Sequence, residues 1–287
     1  MKKLFLKLFI PAAFLVAVAG CQKMKRPDLG NFPADKTVTP TTALRFYVPF
    51  DSVSSASSQL NIRFMDSISG YPCFFPASGI KAIPGIKGTA YSGTNSAFLN
   101  YYNSNDFAQT ASSFTIAFWE KRNGIPKGNA SFVFTIPSSN GQWGSYGFSM
   151  FLLFDWGTWT PTSDAIVKFY MVDDNCKCDT WLTWEGGNKV PGVQDNNWHH
   201  MAFVYDATTS KLTLYVDGVA NPNVPQWGSH GAEKIDGSKV TGLNIGGNTN
   251  IKDMGWGQNW DGGLDQFRMY NKALTAAEVA ALYNGKQ

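Results

Sequence analysis

Two adjacent histidines, His199 and His200, are the first residues of this chain that suggest a chemical role. They begin the apolar stretch HMAFVYD, and the chain has three histidines in all, so a metal site or a general base is the sharpest hypothesis. Successive side chains of a strand point to opposite faces, which prevents the two imidazoles from binding one metal ion. The third histidine, His230, lies in a glycine-rich loop. We therefore expect the histidine pair to pack in the fold with one hydrogen bond each.

The carboxylates raise a second hypothesis, glycoside hydrolysis, which needs two carboxyl groups about 5–9 Å apart. The chain has four glutamates. Glu278 fits a helix cap and Glu233 lies in a polar loop, which leaves Glu120 and Glu185 as the candidate catalytic pair. Nothing in the sequence brings that pair together, and the GxSxG motif of serine nucleophiles is absent. We expect binding rather than catalysis, with Glu120 and Glu185 as the residues that matter if the protein is an enzyme.

The ten tryptophans point to a different chemistry. Trp119 and Trp198 fall in strand-like stretches, whereas the other eight lie in segments rich in glycine and polar residues. An indole ring can stack on the C–H face of a sugar while nearby amides and carboxylates bind its hydroxyls. Such rings can also serve only to anchor long loops. The residues that we predict to bind a glycan are Trp156, Trp159, Trp256, Trp260, Asp155, Asn259, Trp143 and Trp181.

The elements that must position these residues are mainly strands. Alternating apolar and polar residues predict strands in SSFTIAFWEK, HMAFVYD, KLTLYVDG, GLNIGG and GLDQFRMYN. The one predicted helix is C-terminal, and it begins with the capping box Thr275-x-x-Glu278. Residues 21–43 are polar and proline-rich, which predicts a flexible linker. Residues 44–287 contain no second linker, so we predict a single domain there.

Charge and cysteine content narrow the function further. Beyond the first 20 residues the chain has 21 basic and 21 acidic side chains, so it has no basic surface typical of nucleic-acid binding. Cys73, Cys176 and Cys178 allow one internal disulfide, and we expect Cys73 to pair with one of the other two, with free thiols as the alternative. The Cys-x-Cys pair lacks the second pair that a four-ligand zinc site needs.

The N-terminal 21 residues, MKKLFLKLFIPAAFLVAVAGC, have the composition of an export signal. A basic start precedes an apolar stretch that is too short to span a bilayer. The ending VAGC resembles the bacterial lipoprotein signal, which implies removal of residues 1–20 and lipidation of Cys21. An ordinary secretion signal is the alternative. We expect an outer-membrane lipoprotein that contacts the membrane through its lipid only, on either the cell surface or the periplasmic face.

Two long stretches carry a family resemblance. WHHMAFVYDATTSKLTLYVDGV and GGLDQFRMYNKALTAAEVAALY resemble the laminin-G-like group of concanavalin A-like lectin/glucanase domains. The resemblance implies an all-β fold, a two-sheet antiparallel jelly-roll sandwich with a short C-terminal helix. Residues 123–197 and 221–240 match poorly, and we interpret them as insertions.

The resemblance also implies functions and a metal. We expect non-catalytic binding of a polysaccharide or glycan, with a glycoside hydrolase or a protein-binding adhesion module as alternatives. Many members of this fold hold a structural Ca²⁺ near the terminal strands, for which Asp51 and Asp265 are the candidate ligands here. Alternatively, Asp265 accepts backbone N–H bonds on the core side of its strand. The oligomeric state stays open.

Overall fold

The computed structural model describes residues 39–51, 64–74, 79–95, 97–142, 146–157 and 163–286. The predictions for residues 1–20, for lipidation of Cys21, and for Trp143 and Trp159 lie outside these ranges. Within them, no helix has both the length and the apolar character that a membrane crossing requires.

The described chain is built from short strands, nearly all of them antiparallel to their neighbours, with three short α-helices. The strands are β1 (Leu44–Val48), β2 (Ile80–Pro84), β3 (Thr89–Gly93), β4 (Leu99–Tyr101), β5 (Phe114–Lys121), β6 (Ala130–Pro137), β7 (Phe148–Asp155), β8 (Ile166–Asp173), β9 (Cys178–Trp184), β10 (His199–Asp206), β11 (Lys211–Val216), β12 (Val219–Ala220), β13 (Leu243–Ile245), β14 (Gly257–Asn259) and β15 (Gly263–Tyr270). The helices are α1 (Phe107–Thr110), α2 (Ile251–Met254) and α3 (Ala276–Gly285), and Gly186–Asn188 forms a 3-10 turn.

These strands form two sheets. The first has the order β12-β11-β10-β5-β15-β3-β2, and β1 also pairs with β15. The second has the order β4-β13-β6-β7-β8-β9, and β14 adds to β6 in parallel. The all-β, two-sheet jelly-roll sandwich predicted above is confirmed, as are the five strands predicted from alternation.

The main core lies between the sheets, as the alternation along β7 illustrates. Met150, Leu152 and Phe154 point into that core, whereas Phe151 and Leu153 belong to a separate apolar cluster on the outer face of the second sheet. Both sets are fully or almost fully buried. A strand with two buried faces has apolar residues at successive positions. The segment therefore shows no simple alternation of apolar and polar residues.

The second sheet overturns one interpretation made from the sequence. Residues 123–197, interpreted above as an insertion, contain β6, β7, β8 and β9, which make up most of the second sheet. That interpretation is wrong, because the stretch is part of the sandwich itself. Residues 221–240 connect β12 to β13.

Helix α3 closes the outer face of the first sheet. The predicted capping box is confirmed: Thr275 Oγ1 accepts a hydrogen bond from Glu278 N at 3.2 Å, and Thr275 N donates to Glu278 Oε2 at 2.9 Å. Val279 is fully buried against Ala117 and its neighbours on that face. The helix thus covers small apolar side chains that would otherwise face solvent.

The cysteines pair differently from the prediction. Cys176 and Cys178 form a disulfide across the β8–β9 turn, with Cα atoms 5.2 Å apart, and Cys73 is a buried free thiol. The expected bridge from Cys73 is therefore wrong. Cys73 is part of the core between the sheets, where burial raises the pKa of its thiol to about 12. Cys176 and Cys178 lie outside that core.

Candidate functional site

A row of aromatic rings crosses the outer face of the second sheet. The strand register places Phe151 of β7 beside Tyr170 of β8, and Tyr170 beside Trp181 of β9. Ring centroids are 4.6 Å apart in the first pair and 5.2 Å apart in the second. Trp181 stays 37% exposed at the end of the row. The sheet thus presents an indole ring to solvent on a packed aromatic base.

A cleft of about 320 Å³ opens beside this row, and we name it the tryptophan cleft. Its lining residues are Ala130, Leu153, Asp155, Lys168, Trp181 and Trp256. It therefore combines two indole rings with two opposite charges, the residue types that suit a sugar.

Trp256 reaches the cleft because β14 adds to the edge of β6. The N–H of Ala130 donates to the Trp256 carbonyl at 2.8 Å, and β14 begins at the next residue. The Trp256 ring lies 5.6 Å from the ring of Phe132, which belongs to the outer apolar cluster. A loop tryptophan is thus held in place by backbone pairing on one side and ring packing on the other.

Lys168 organises the charges of the cleft. Its Nζ lies 2.7 Å from Asp155 Oδ2 and 3.3 Å from Glu185 Oε2. Partial burial lowers the pKa of Lys168, but the hydrogen bonds to both carboxylates outweigh this and raise it above its usual value. The cleft therefore keeps a charged ammonium between two carboxylates.

Three predicted residues, Asp155, Trp181 and Trp256, come together in this cleft. Trp156 follows Asp155 directly, is 51% exposed, and donates its N–H to Asp155 Oδ1 at 2.8 Å. Lys168 was missed by the sequence analysis. Its signal was a single lysine within IVKFYMVD, at the spacing of Tyr170 and Val172 on the outer face.

Two other predicted residues are placed elsewhere. Trp260 is fully buried between the sheets, where it meets Phe154 edge-on at 5.1 Å, and its Nε1–H donates to the Gly263 carbonyl at 3.3 Å. Asn259 is 4% exposed, and its Oδ1 accepts the N–H of Asn248. The structure corrects the expectation for this pair, because neither side chain is accessible to a ligand.

The candidate catalytic pair is divided between the sheets. Glu120 lies in β5 of the first sheet and is fully buried. Burial raises the pKa of the Glu120 carboxyl well above its usual value. Glu185 follows β9 of the second sheet, has a side chain 49% exposed, and pairs with Lys168. The structure does not bring Glu120 and Glu185 together.

The two adjacent histidines at the start of β10 have different environments. His199 Nδ1 lies 2.8 Å from Asp217 Oδ2 and Nε2 lies 3.0 Å from Asp195 Oδ1. These hydrogen bonds, Asp217 first, raise the pKa of His199 to about 9. His200 is fully buried, and neither of its ring nitrogens has a hydrogen-bond partner. The prediction of one hydrogen bond each is wrong, since one ring forms two and the other forms none.

The candidate calcium ligands flank the β2–β3 turn. Asp265 Oδ2 accepts the N–H of Ile86 at 2.7 Å, and Asp51 Oδ1 accepts the N–H of Thr89 at 3.2 Å. The backbone-acceptor alternative is thus confirmed for Oδ2 of Asp265. Its Oδ1 is buried without a partner. That buried oxygen and the nearby Asp51 carboxylate are donors of the kind that Ca²⁺ prefers.

The family follows from the sequence together with this fold. The family model described as the concanavalin A-like lectin/glucanases superfamily, of the laminin G type, matches residues 95–280. The chain belongs to this superfamily. The match includes the second sheet, the strands β5, β10, β11, β12 and β15 of the first, and every residue that lines the tryptophan cleft. No curated protein matches the chain.

Solved structures of similar fold include binding domains. Domain 4 of an extracellular arabinanase from Geobacillus stearothermophilus, solved in complex with arabinotriose, is 15% identical with a TM-score of 0.55, covering 84% of this chain and 98% of that domain. The receptor-binding domain of a botulinum neurotoxin C/D mosaic serotype is 12% identical with a TM-score of 0.54, covering 84% of this chain and 50% of its own. The chain thus spans about half the length of that toxin domain, and at these identities the likeness shows the fold alone.

Proposed function

We propose that this protein binds a carbohydrate, without catalysis, in the tryptophan cleft. The observation that carries the proposal is the convergence of Trp181, Trp256 and the ion-paired Asp155 and Lys168 on one solvent-facing cleft. Trp181 or Trp256 supplies an apolar ring for the C–H face of a sugar. Lys168 donates hydrogen bonds to sugar hydroxyls, and Asp155 accepts them. The superfamily membership and the sugar-bound arabinanase domain support the same proposal.

The cleft suits weak, specific binding. Its charged groups already pair with each other, so a sugar hydroxyl must replace part of an existing hydrogen bond, and the net gain per bond is about 1 kcal/mol. The aromatic base is packed before a ligand arrives, which limits the ordering cost of binding. We expect each cleft to bind a short segment of a polysaccharide, with high avidity only where several copies of the protein on one surface bind the same polysaccharide.

The test is retention on immobilised glycans. The purified protein is screened on a glycan array and by affinity electrophoresis in gels of plant and host polysaccharides. Trp181→Ala and Trp256→Ala are compared with Tyr102→Ala, which removes a ring that is 80% exposed and not part of the cleft lining. We expect retention to be lost in the first two variants and kept in the third. Retention that survives both tryptophan substitutions would overturn the proposal, as would binding to protein receptors only.

Glycoside hydrolysis is a second candidate, with a different pair of carboxylates. Asp155 and Glu185 contact the same Nζ, so their contacting oxygens are at most about 6 Å apart, whereas glycosidases hold their carboxyl groups about 5–9 Å apart. However, both carboxylates already pair with the Lys168 ammonium, so a catalytic role would require at least one of these contacts to break. Reducing-sugar release that Asp155→Asn and Glu185→Gln both abolish would establish this candidate over binding alone.

We also propose that Cys21 carries a lipid anchor in the outer membrane. The proposal rests on the VAGC ending of the leader. Metabolic labelling with a fatty acid and membrane fractionation test it, with Cys21→Ala expected to abolish labelling and release the protein. Protease accessibility on intact cells distinguishes the surface from the periplasmic face. An unlabelled wild-type protein would overturn the proposal.

A structural Ca²⁺ at Asp51 and Asp265 is our proposal for the role of the partnerless Oδ1 of Asp265. We expect Ca²⁺ to raise the melting temperature relative to a chelator, and Asp265→Asn to remove that rise. Asp253→Asn, in α2, serves as the control variant. A melting temperature that does not respond to Ca²⁺ in the wild type would exclude the site.

A further inference from the structure

A second cluster of metal-binding side chains lies at the other end of β8 from Lys168. Asp173 ends β8, and the connection between β12 and β13 contributes His230 and Glu233. His230 Nε2 lies 3.1 Å from Asp173 Oδ2 and 3.7 Å from Glu233 Oε2. One donor atom from each residue lies within 4.8 Å of the other two. Three side chains from two distant segments of the chain thus converge on one point.

The surrounding structure holds each of these side chains in place. The N–H groups of Asn175 and Cys176 donate to Asp173 Oδ1, which leaves Oδ2 to face the cluster. The His230 ring stacks on Trp227, with centroids 3.6 Å apart and planes 8° from parallel. The N–H of Glu233 donates to the carbonyl of Ser112 at 3.0 Å. Such fixed orientation is typical of residues that position a ligand.

The functional atoms at the centre of the cluster are nevertheless unsatisfied. Glu233 is 2% exposed, and neither of its carboxylate oxygens has a hydrogen-bond partner. His230 Nε2 also has none, because its contact with Asp173 Oδ2 is not aligned as a hydrogen bond. In the part of the chain that the structure describes, neither carboxylate forms an ion pair with lysine or arginine. Two buried carboxylates without a strong cation are costly, and a bound cation would remove that cost.

We propose that Asp173, His230 and Glu233 bind a divalent transition-metal ion, for which Zn²⁺ is the best match. Ligand atoms about 2.0–2.1 Å from a tetrahedral Zn²⁺ are roughly 3.4 Å apart, and the two observed separations bracket that value. The imidazole ligand favours Zn²⁺ over Ca²⁺ or Mg²⁺, which prefer all-oxygen sites. Three protein ligands leave a fourth position for water or for an oxygen of a bound molecule.

The neighbouring disulfide does not belong to this ligand set. The sulfurs of Cys176 and Cys178 lie close to a donor nitrogen of His230, but they are bonded to each other. A cysteine sulfur binds a metal ion as a thiolate, so these two sulfurs are not ligands while the disulfide is intact. The proposal is therefore restricted to the two carboxylates and the imidazole, and it is independent of the tryptophan cleft.

The test is a direct measurement of bound metal. The purified protein, with its disulfide intact, is dialysed against micromolar Zn²⁺, and the bound metal per chain is measured by mass spectrometry. We expect one Zn²⁺ per chain, at least tenfold weaker binding in His230→Gln and in Glu233→Gln, and no displacement by excess Ca²⁺. His199→Gln and Glu185→Gln are the matched controls, and both should retain the metal. Near-ultraviolet circular dichroism confirms that each variant is folded.

Two outcomes would overturn the proposal. One is a wild-type protein without bound Zn²⁺. The other is a bound metal that is insensitive to both substitutions or that depends on reduction of the disulfide, since reduction would make the cysteines the ligands. A double Cys176→Ser/Cys178→Ser variant that still binds Zn²⁺ with the wild-type stoichiometry would support the assignment, because it removes both sulfurs and leaves the proposed ligands.

Discussion

The outer faces of the two sheets are both apolar, yet the described residues close only the first of them. On the first sheet, Ala117, Ala202 and Val204 form a face of small side chains, which α3 covers with Val279. On the second sheet the outer face carries large rings, and α2 with the residues beside it covers only part of them. A small-residue face allows a helix to approach closely. Large rings keep the covering segment farther from the sheet, and the tryptophan cleft lies where that segment ends.

This contrast separates stability from binding. A covered face contributes apolar burial to folding, whereas a half-exposed tryptophan keeps part of its apolar surface for a ligand. Substitutions on the helix-covered face should therefore change the free energy of unfolding, and substitutions in the tryptophan cleft should change affinity. Four predictions test this separation.

The largest effect is expected for Val279→Asp on the helix-covered face. The substitution places a carboxylate where no partner is available, so we expect the free energy of unfolding to fall by about 4 kcal/mol. Chemical denaturation followed by tryptophan fluorescence measures it. The exposed Ala281 provides the control, and Ala281→Asp should change the value by less than about 0.5 kcal/mol. An unchanged stability for Val279→Asp would show that α3 does not close this face.

Two tryptophans of the same strand should respond in opposite ways. Trp181→Ala on the open face should weaken glycan affinity about 30-fold, or roughly 2 kcal/mol, with a small change in stability. Trp184 is fully buried in the core between the sheets, so Trp184→Ala should act on stability instead. Isothermal titration and thermal denaturation of both variants measure this. Equal effects on affinity would contradict the separation of the two faces.

Acidification should weaken the helix-covered face through His200. Burial, with a smaller contribution from Arg268, lowers the pKa of His200 to about 4, below its value in the unfolded chain. Its contribution to stability is therefore complete above about pH 6.5 and is lost as the pH falls towards 4. Relative to His200→Leu, the wild type should lose about 3 kcal/mol over that range.

The pKa of His199 is shifted in the opposite direction from that of His200, so its effect on stability has the opposite dependence on pH. Its pKa is raised to about 9, so its contribution is complete below about pH 6.5 and is lost as the pH rises through 9. His199→Gln should remove that alkaline loss without changing the acid one. Denaturation curves between pH 4 and pH 9 measure both variants. An acid loss that persists in His200→Leu would mean that another group causes it.

The smallest effect is expected for Glu185→Gln at the edge of the cleft. Glu185 is half-exposed and shares Lys168 with Asp155, so its loss should weaken glycan affinity only about threefold. Asp179→Asn, at an exposed position near the start of β9, is the control and should have no effect. A loss of more than about 30-fold would indicate that Glu185 contacts the ligand directly.

The sequence predicts the first sheet better than the second. Successive side chains of β10 and β11 point alternately into the core between the sheets and to the outer face. The sequence motifs in these two strands also carry the family resemblance. The central strands of the second sheet are apolar on both faces, so β7 and β8 lack that alternation. The insertion interpretation of residues 123–197 rests on their poor match to the family, and no alternation in β7 and β8 is there to oppose it.

Local sequence also fails to predict which individual tryptophans belong to the site. Trp256 and Trp260 stand four positions apart in similar glycine-rich surroundings, and both were predicted to bind a glycan. One lines the cleft and the other is buried between the sheets. The difference arises from how β14 pairs with β6, a long-range contact that no local pattern contains. The role of Lys168 likewise depends on strand pairing, which brings Asp155 and Glu185 to it.

The position of β15 has a consequence for how the protein is made. This strand, which ends at Tyr270, lies between β5 on one side and β1 and β3 on the other. The first sheet therefore cannot close until almost the whole chain has been synthesised. Pairing of such distant segments is slow, and it leaves the growing chain without a stable partial sheet. We therefore expect the first sheet to fold after β15 has been made rather than during growth of the chain.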